Sequence, residues 1–152
     1  MEILTTKTLS PVQLHQLNEM WNSEYPEKLS NRFNKLLEGV ENFTHYLIID
    51  TTDHIIAWAV VFEKDNELRF SIIVNDTMQG KGMGSKLIEK LKSEHMEFFG
   101  WVIDHNNDLK SNGATYRSPL PFYKKQGFTI LNDQRIDTEM LNAVKVKWST
   151  LS

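Results

Sequence analysis

Apolar and polar positions follow one another along this chain in blocks of different period. Ile3 to Leu9 alternates and predicts a strand. Leu14, Leu17, Met20 and Trp21 then recur at helical spacing behind Ser10-Pro11-Val12-Gln13. That tetrad supplies an N-cap serine, a proline at the first helical position and a glutamine placed to close a capping box. Tyr25-Pro26 breaks the helix, and Ser30 is placed to cap a second one whose Phe33, Leu36, Leu37 and Val40 face inward, with Gly39 near its end. His45 to Ile49 and Ile55 to Phe62 predict two strands joined by Asp50-Thr51-Thr52-Asp53. After Lys64-Asp65-Asn66, Leu68 to Val74 is a buried strand rich in β-branched residues.

The second half keeps the same rhythm. Met83, Leu87, Ile88 and Leu91 mark a helix with Lys86, Glu89, Lys90 and Lys92 on its solvated side. Phe98 to Ile103 is a strand, and Asp104 to Arg117 a polar loop. Ser118-Pro119 starts a last helix that Gly127 stops, and Phe128 to Leu131 and Leu141 to Trp148 close as strands. Trp58, Phe62 and Trp148 read as core, while Trp21 and Trp101 border loops. The order β-α-α-β-β-β-α-β-α-β-β mixes hairpins with strand–helix–strand crossovers, which predicts an α/β fold with a mixed sheet.

Composition narrows this only at the margins. The chain has 152 residues, 40% hydrophobic and 24% charged, the profile of one ordinary domain spanning 1–152. A formal net charge of -3 gives no general affinity for nucleic acid or an anionic membrane. Cys 0 removes disulfides, a thiolate nucleophile and cysteine metal sites, and no metal is expected. Neither a membrane span nor a signal pattern is legible, so the expected location is cytoplasmic. A homodimer stays open.

The chemistry gathers where the Leu68–Val74 strand runs into Gln79-Gly80-Lys81-Gly82-Met83-Gly84-Ser85 and then a helix. A glycine-rich turn before a helix aims unpaired N–H groups at one point, where the helix dipole also favours an anion. Glycine lets a phosphate approach those amides. A P-loop is excluded because Gly84-Ser85-Lys86 has the wrong order. A dinucleotide site competes: the chain has GxGxG in place of GxGxxG, and Asp104, about twenty residues on, imitates the ribose-binding acid.

Val74 to Gly84, V-N-D-T-M-Q-G-K-G-M-G, resembles the acetyl-CoA-binding motif of the GNAT family of N-acetyltransferases, with Gln79, Gly82 and Gly84 at its core positions. Pro121-Phe122-Tyr123-Lys124-Lys125-Gln126-Gly127-Phe128 resembles the family's later Tyr-x-x-x-Gly-Phe signature. The resemblance implies a GNAT-like, mostly antiparallel sheet that splays between Ile72–Val74 and Trp101–Asp104, with acetyl-CoA in the notch. It implies that backbone groups of Ile72 and Val74 hold the pantetheine arm, and that Gln79, Gly80, Lys81, Gly82, Gly84 and Ser85 surround the pyrophosphate. Tyr123 falls where many members carry the acid that protonates the departing CoA sulfur, and its phenol is expected to set an alkaline limb. His105 is a candidate base, and Glu24 and Tyr25 lie in a segment that commonly faces the substrate. Asp76 replaces the family's proline, and Tyr116 its CoA-contacting asparagine, with Asn112 and Ser118 as candidate substitutes. Pro119 and Pro121 replace the commoner alanine-rich helix start.

The implied activity is acetyl transfer from acetyl-CoA to a primary amine, a small molecule or a peptide, by direct attack on the thioester (an EC 2.3.1 type acyltransferase). Two other classes compete with it: a non-catalytic acyl-CoA sensor and a nucleotide-cofactor oxidoreductase.

Overall fold

The computed structural model describes residues 2–150. Its strands are β1 (Ile3–Thr6), β2 (Phe43–Ile49), β3 (Ile55–Lys64), β4 (Glu67–Val74), β5 (Glu97–Ile103), β6 (Thr129–Asp137) and β7 (Asn142–Ser149). They form one sheet in the order β1-β2-β3-β4-β5-β7-β6. Every neighbouring pair is antiparallel except β4 and β5, which run parallel and share the single register pair Arg69↔Phe99. This is the mixed, mostly antiparallel α/β sheet expected, splayed after that pair.

Helices cover both faces. α1 (Pro11–Glu24) begins with the full capping box, Ser10 accepting from the Gln13 N–H and Gln13 accepting from the Ser10 N–H. With Phe33 it packs Leu17, Met20 and Trp21 on Leu47, Trp58, Val60 and Ile73. α3 (Met83–Glu94) and α4 (Leu120–Lys125) lie on the opposite face, where Leu87, Ile88, Leu91 and Tyr123 meet Tyr46, Phe70, Phe98 and Val146. Alternation along β4 therefore sends Phe70, Ile72 and Val74 towards α3, and Ile73 towards α1. Trp58 and Phe62 are core as expected, and Trp148 packs half-buried on Phe98, with ring centroids 5.3 Å apart.

Several elements differ from the sequence reading, each for a local reason. The second helix shrinks to one turn, α2 (Phe33–Leu36), with Arg32 rather than Ser30 at its N-cap position. Asn31 is left-handed, φ 64, and exchanges hydrogen bonds with Asn22 at 2.7 and 3.1 Å. Ser30 instead closes a 3-10 turn, Glu27–Leu29. β1 stops at Thr6, where the Thr6 hydroxyl turns the chain by bonding to the Thr8 carbonyl. β6 runs on to Asp137 through an irregularity between Leu131 and Arg135. The loop after β5 is tied down, since Lys110 bridges Pro26 and the Glu27 N–H donates to the Leu109 carbonyl at 2.8 Å.

Two stability predictions come from this packing. His45 is 2% exposed and its Nδ1 accepts from Trp58 Nε1 at 3.0 Å. Burial pushes its pKa down to about 4 from 6.5. Between those values the unfolded chain binds a proton that the folded one refuses, so stability falls as pH drops from 6.5 towards 4. The expected loss is about 2 kcal/mol, read as a falling urea midpoint. His45→Asn keeps an acceptor but does not titrate, and should remove that part of the slope; an unchanged slope would exclude His45 as its source.

At Gly100 an added Cβ would lie 2.6 Å from Cε1 of Phe70, inside the aromatic cluster. Gly→Ala in an open strand gains a few tenths of a kcal/mol through the unfolded chain. Here the clash outweighs that gain, and Gly100→Ala should cost about 1–3 kcal/mol. A neutral or raised urea midpoint would show that Phe70 has room to move.

Candidate functional site

Beyond Arg69↔Phe99 the β4 edge facing β5 loses its strand partner, so alternate N–H and C=O groups are left open. A cleft of about 1150 Å³ occupies the gap. Its walls are Phe70 to Val74 of β4 and Gly100 to Ile103 of β5. The start of α3, Phe122 and Tyr123 of α4, and Trp21, Glu24 and Tyr25 at the end of α1 complete it.

One end of the cleft is the glycine turn. Asn75 caps the 3-10 turn Asp76–Met78 by accepting from the Thr77 N–H, and the Gln79 amide donates to the Val74 carbonyl at 3.1 Å. Gly80 and Gly82 are left-handed, φ 80 and φ 82, with nothing within 4 Å of an added Cβ. Gly82 is the N-cap of α3, with no side-chain cap and no acid in the first turn. Its amides therefore meet the cleft uncompensated, which suits a phosphate. Gly84 gives close approach of another kind, since its Cβ would stand 3.1 Å from the Phe122 ring. Ser85 accepts from the Gln126 side chain at 2.9 Å and so joins α3 to α4.

Tyr123 stands across from this turn, 7% exposed, its ring held between Phe70, Phe122 and Phe128 at centroid distances of 5.6, 5.2 and 5.2 Å. Burial pushes its phenol well above the ordinary 10, and Tyr25 and Tyr116, which line the same cleft, are pushed up likewise. All three stay protonated through the neutral range. The alkaline limb expected of Tyr123 therefore moves above pH 10.

The structure brings Ile72, Val74, Gln79, Gly80, Gly82, Gly84, Ser85, Tyr123, Glu24 and Tyr25 onto one cleft. It leaves out Lys81, whose side chain is exposed, and His105. His105 Nδ1 accepts from the Asn107 N–H at 3.0 Å, so the neutral ring carries its proton on Nε2, 3.8 Å from Asp108 Oδ2. Neither nitrogen is offered to the cleft as a base. Glu24 is 7% exposed and already engaged: Oε2 accepts from the Asp76 N–H at 3.0 Å, and Lys110 lies 3.3 Å from Oε1. It braces the glycine turn against the loop after β5.

Of the two substitutes considered for the family asparagine, Ser118 lines the cleft and Asn112 does not. Ser118 donates to the Ile103 carbonyl at 2.5 Å and accepts from the Leu120 N–H, while Asn112 caps the Ala114 N–H. Asp104, the acid a dinucleotide would need, is gripped by Arg135 at 2.7 and 3.3 Å. Sequence reasoning passed over Gly100 and Phe122. A glycine inside a strand was the available signal for the first, and adjacency to Tyr123 for the second.

A family model described as the acetyltransferase (GNAT) domain matches residues 42–130. No curated protein sequence matches. Among solved structures, the aminoglycoside 6'-N-acetyltransferase from Enterococcus faecium superposes with a TM-score of 0.71 at 13% identity, covering 100% of this chain and 98% of that one. Escherichia coli ElaA gives 0.69 at 16%, covering 97% and 99%. A GNAT superfamily phosphinothricin acetyltransferase from Sinorhizobium meliloti, solved in complex with AcCoA, gives 0.60 at 13%, covering 98% and 89%. At such identities these likenesses speak for the fold alone. The family match spans more than half of the sequence, and the chain belongs to the GNAT family of acetyltransferases.

Proposed function

We propose that this acetyltransferase moves the acetyl group of acetyl-CoA onto a primary amine. The observation that carries the reading is convergence: an unpaired strand edge, a left-handed glycine turn and a buried tyrosine hydroxyl line one cleft. The family uses acetyl-CoA, and the residues present fit it. Amides of Gly80 to Ser85 would hold the pyrophosphate, with the α3 dipole adding to them. Open backbone groups of Ile72 and Val74 would pair with the amide-rich arm as an added strand does. An N–H near Ile72 would donate to the carbonyl oxygen that gains charge during attack.

Bound acetyl-CoA supplies a thioester as acyl donor. A neutral amine forms the new C–N bond, the C–S bond breaks, and the amine sheds a proton to water. Tyr123 donates its proton to the departing sulfur. Burial keeps the phenol protonated through the neutral range, and the proton it gives up is replaced from solvent to close the cycle. The packed rings of Phe70, Phe122 and Phe128 fix its direction and exclude water. The acceptor would enter from the α1 face, where Tyr25 and Glu24 line the cleft.

Three variants test the assignment. Gly82→Asp puts a carboxylate against the phosphate site, and losing two charge-assisted amide bonds costs about 3–6 kcal/mol. Calorimetry should then find no binding where the wild type binds in the micromolar range, about 8 kcal/mol. Gly82→Asn, of the same shape and without charge, should retain more affinity than the aspartate. A wild type that ignores acetyl-CoA yet binds NAD would defeat the reading.

Tyr123→Phe keeps the ring packing, so stability and acetyl-CoA affinity should hold. Turnover, followed by CoA release, should fall by about 10²–10⁴ in kcat and kcat/KM alike. Wild-type activity should show no phenol-dependent decline below pH 10. Full turnover in the variant would reduce Tyr123 to packing.

A further inference from the structure

Charge is not spread evenly over this acidic chain. Arg32, Lys35, Lys64, Arg69, Lys110 and Arg117 line the cleft, and Glu24 is the one carboxylate among its lining residues. The formal net charge is -3, so this segregation runs against the composition. Much of the excess is uncommitted. Arg32, Lys64 and Arg117 have no carboxylate within ion-pair distance among the described residues. Lys35 lies 3.5 Å from Glu38, and Arg69 Nη2 lies 3.0 Å from Asp65 and 3.8 Å from Glu67, but the buried Nε of Arg69 has no partner.

Four of these cations, Arg32, Lys35, Lys64 and Arg69, belong to segments away from the phosphate turn. Arg69 falls between Leu68 and Phe70, which face α3, so alternation turns it towards the α1 face. Arg32 stands at the N-cap position of α2 and Lys35 within it, and Phe33 of that helix packs with Trp21 and Trp58 on that same face. Lys64 sits at the hairpin end of β3, opposite Glu67. The glycine turn leads into α3 on the other side of the sheet, and neither Lys81 nor Lys86 lines the cleft. The positive field is thus centred on the acceptor's side, near the apex where β4 and β5 part.

We infer that the acceptor is a small primary amine that also carries an oxyanion, a carboxylate or a phosphonate-type group, and that polycationic amines are poor substrates. The inference rests on the acetyl-transfer reading above and adds the acceptor's charge to it. A low-dielectric cleft lined by one sign of charge concentrates ligands of the other sign and repels its own. An anionic group held at Arg32, Lys64 and Arg69 leaves the amine end free to point into the notch. Polyamines and aminoglycosides would face the unpaired cations Arg32, Lys64 and Arg117, while Glu24, the one carboxylate among the lining residues, is already engaged.

The test uses the full chain. Calorimetry with acetyl-CoA comes first, since failure there defeats the acetyl-transfer reading itself. CoA release is then measured with alanine and 2-aminoethylphosphonate as the two oxyanion arms, ethylamine as the neutral-tailed control, and spermidine and kanamycin as the cationic arm. At least one oxyanion arm should exceed ethylamine and both polycations by about tenfold or more in kcat/KM, and the better arm names the oxyanion. In Arg32→Glu/Lys64→Glu, both exposed positions, KM for that substrate should rise by about 10–100-fold while KM for acetyl-CoA holds. Added salt should raise the wild-type KM in the same direction. Acetyl-CoA binding with preference for a polycation, with turnover of no oxyanion-bearing amine, or with an unchanged KM in the double variant would overturn the inference.

Discussion

The cleft opens beside one tight contact, the Phe70 ring lying against the bare Cα of Gly100. Parallel strands ordinarily continue side by side, held by evenly spaced hydrogen bonds. Here the ring also packs edge-on to Phe98 and Tyr123 at 5.4 and 5.6 Å. It lies over Gly100 on the α3 face, next to the one register pair Arg69↔Phe99. Glycine at 100 admits the ring without pushing β5 out of its pairing with β7. The same ring packs against Tyr123, so one side chain touches both the strand beside the gap and the tyrosine that lines it.

Much of this could be read from the chain because the signals are local. Ser10, Pro11 and Gln13 make a capping box through nearest neighbours alone, and α1 begins where they say. The apolar runs of β2 to β5 need only alternation and length. The glycine turn was legible for the same reason, since left-handed φ at Gly80 and Gly82 is a property of the turn itself. What escaped depends on partners distant in sequence. Ser30 has the right chemistry for an N-cap, but Asn31 is claimed by Asn22 across the loop. His105 looks like a free histidine after a strand, and only the folded loop shows Nδ1 taken by Asn107.

Glu24 shows the same division within the site. Its position between two helices suggested a substrate-facing carboxylate, and it does line the cleft. Its oxygens, however, are occupied by the Asp76 N–H and Lys110, so it joins three segments that lie far apart in sequence. A buried carboxylate with charge-assisted partners on both oxygens is an expensive group to disturb. That makes it structural support for the wall the acceptor would meet. The surplus of cations around it was equally invisible beforehand, because they come from α2, two hairpin strands and the β5–α4 loop, and only folding gathers them.

The hydrogen bond from Gln126 to Ser85 has a metrical consequence. It ties the first turn of α3 to the end of α4 at 2.9 Å, while Lys92 clasps the Gln126 carbonyl at 2.6 Å and Phe122 abuts Gly84. The two helices are thereby locked together at both the glycine turn and the tyrosine. A ligand anchored by its phosphates at the turn, as proposed, would be measured against a fixed ruler, and only an atom one arm's length away would arrive beside the hydroxyl. On the proposed binding mode, selection for the length of the ligand would lie in the joint between two helices, independent of any pocket shaped to its reactive end.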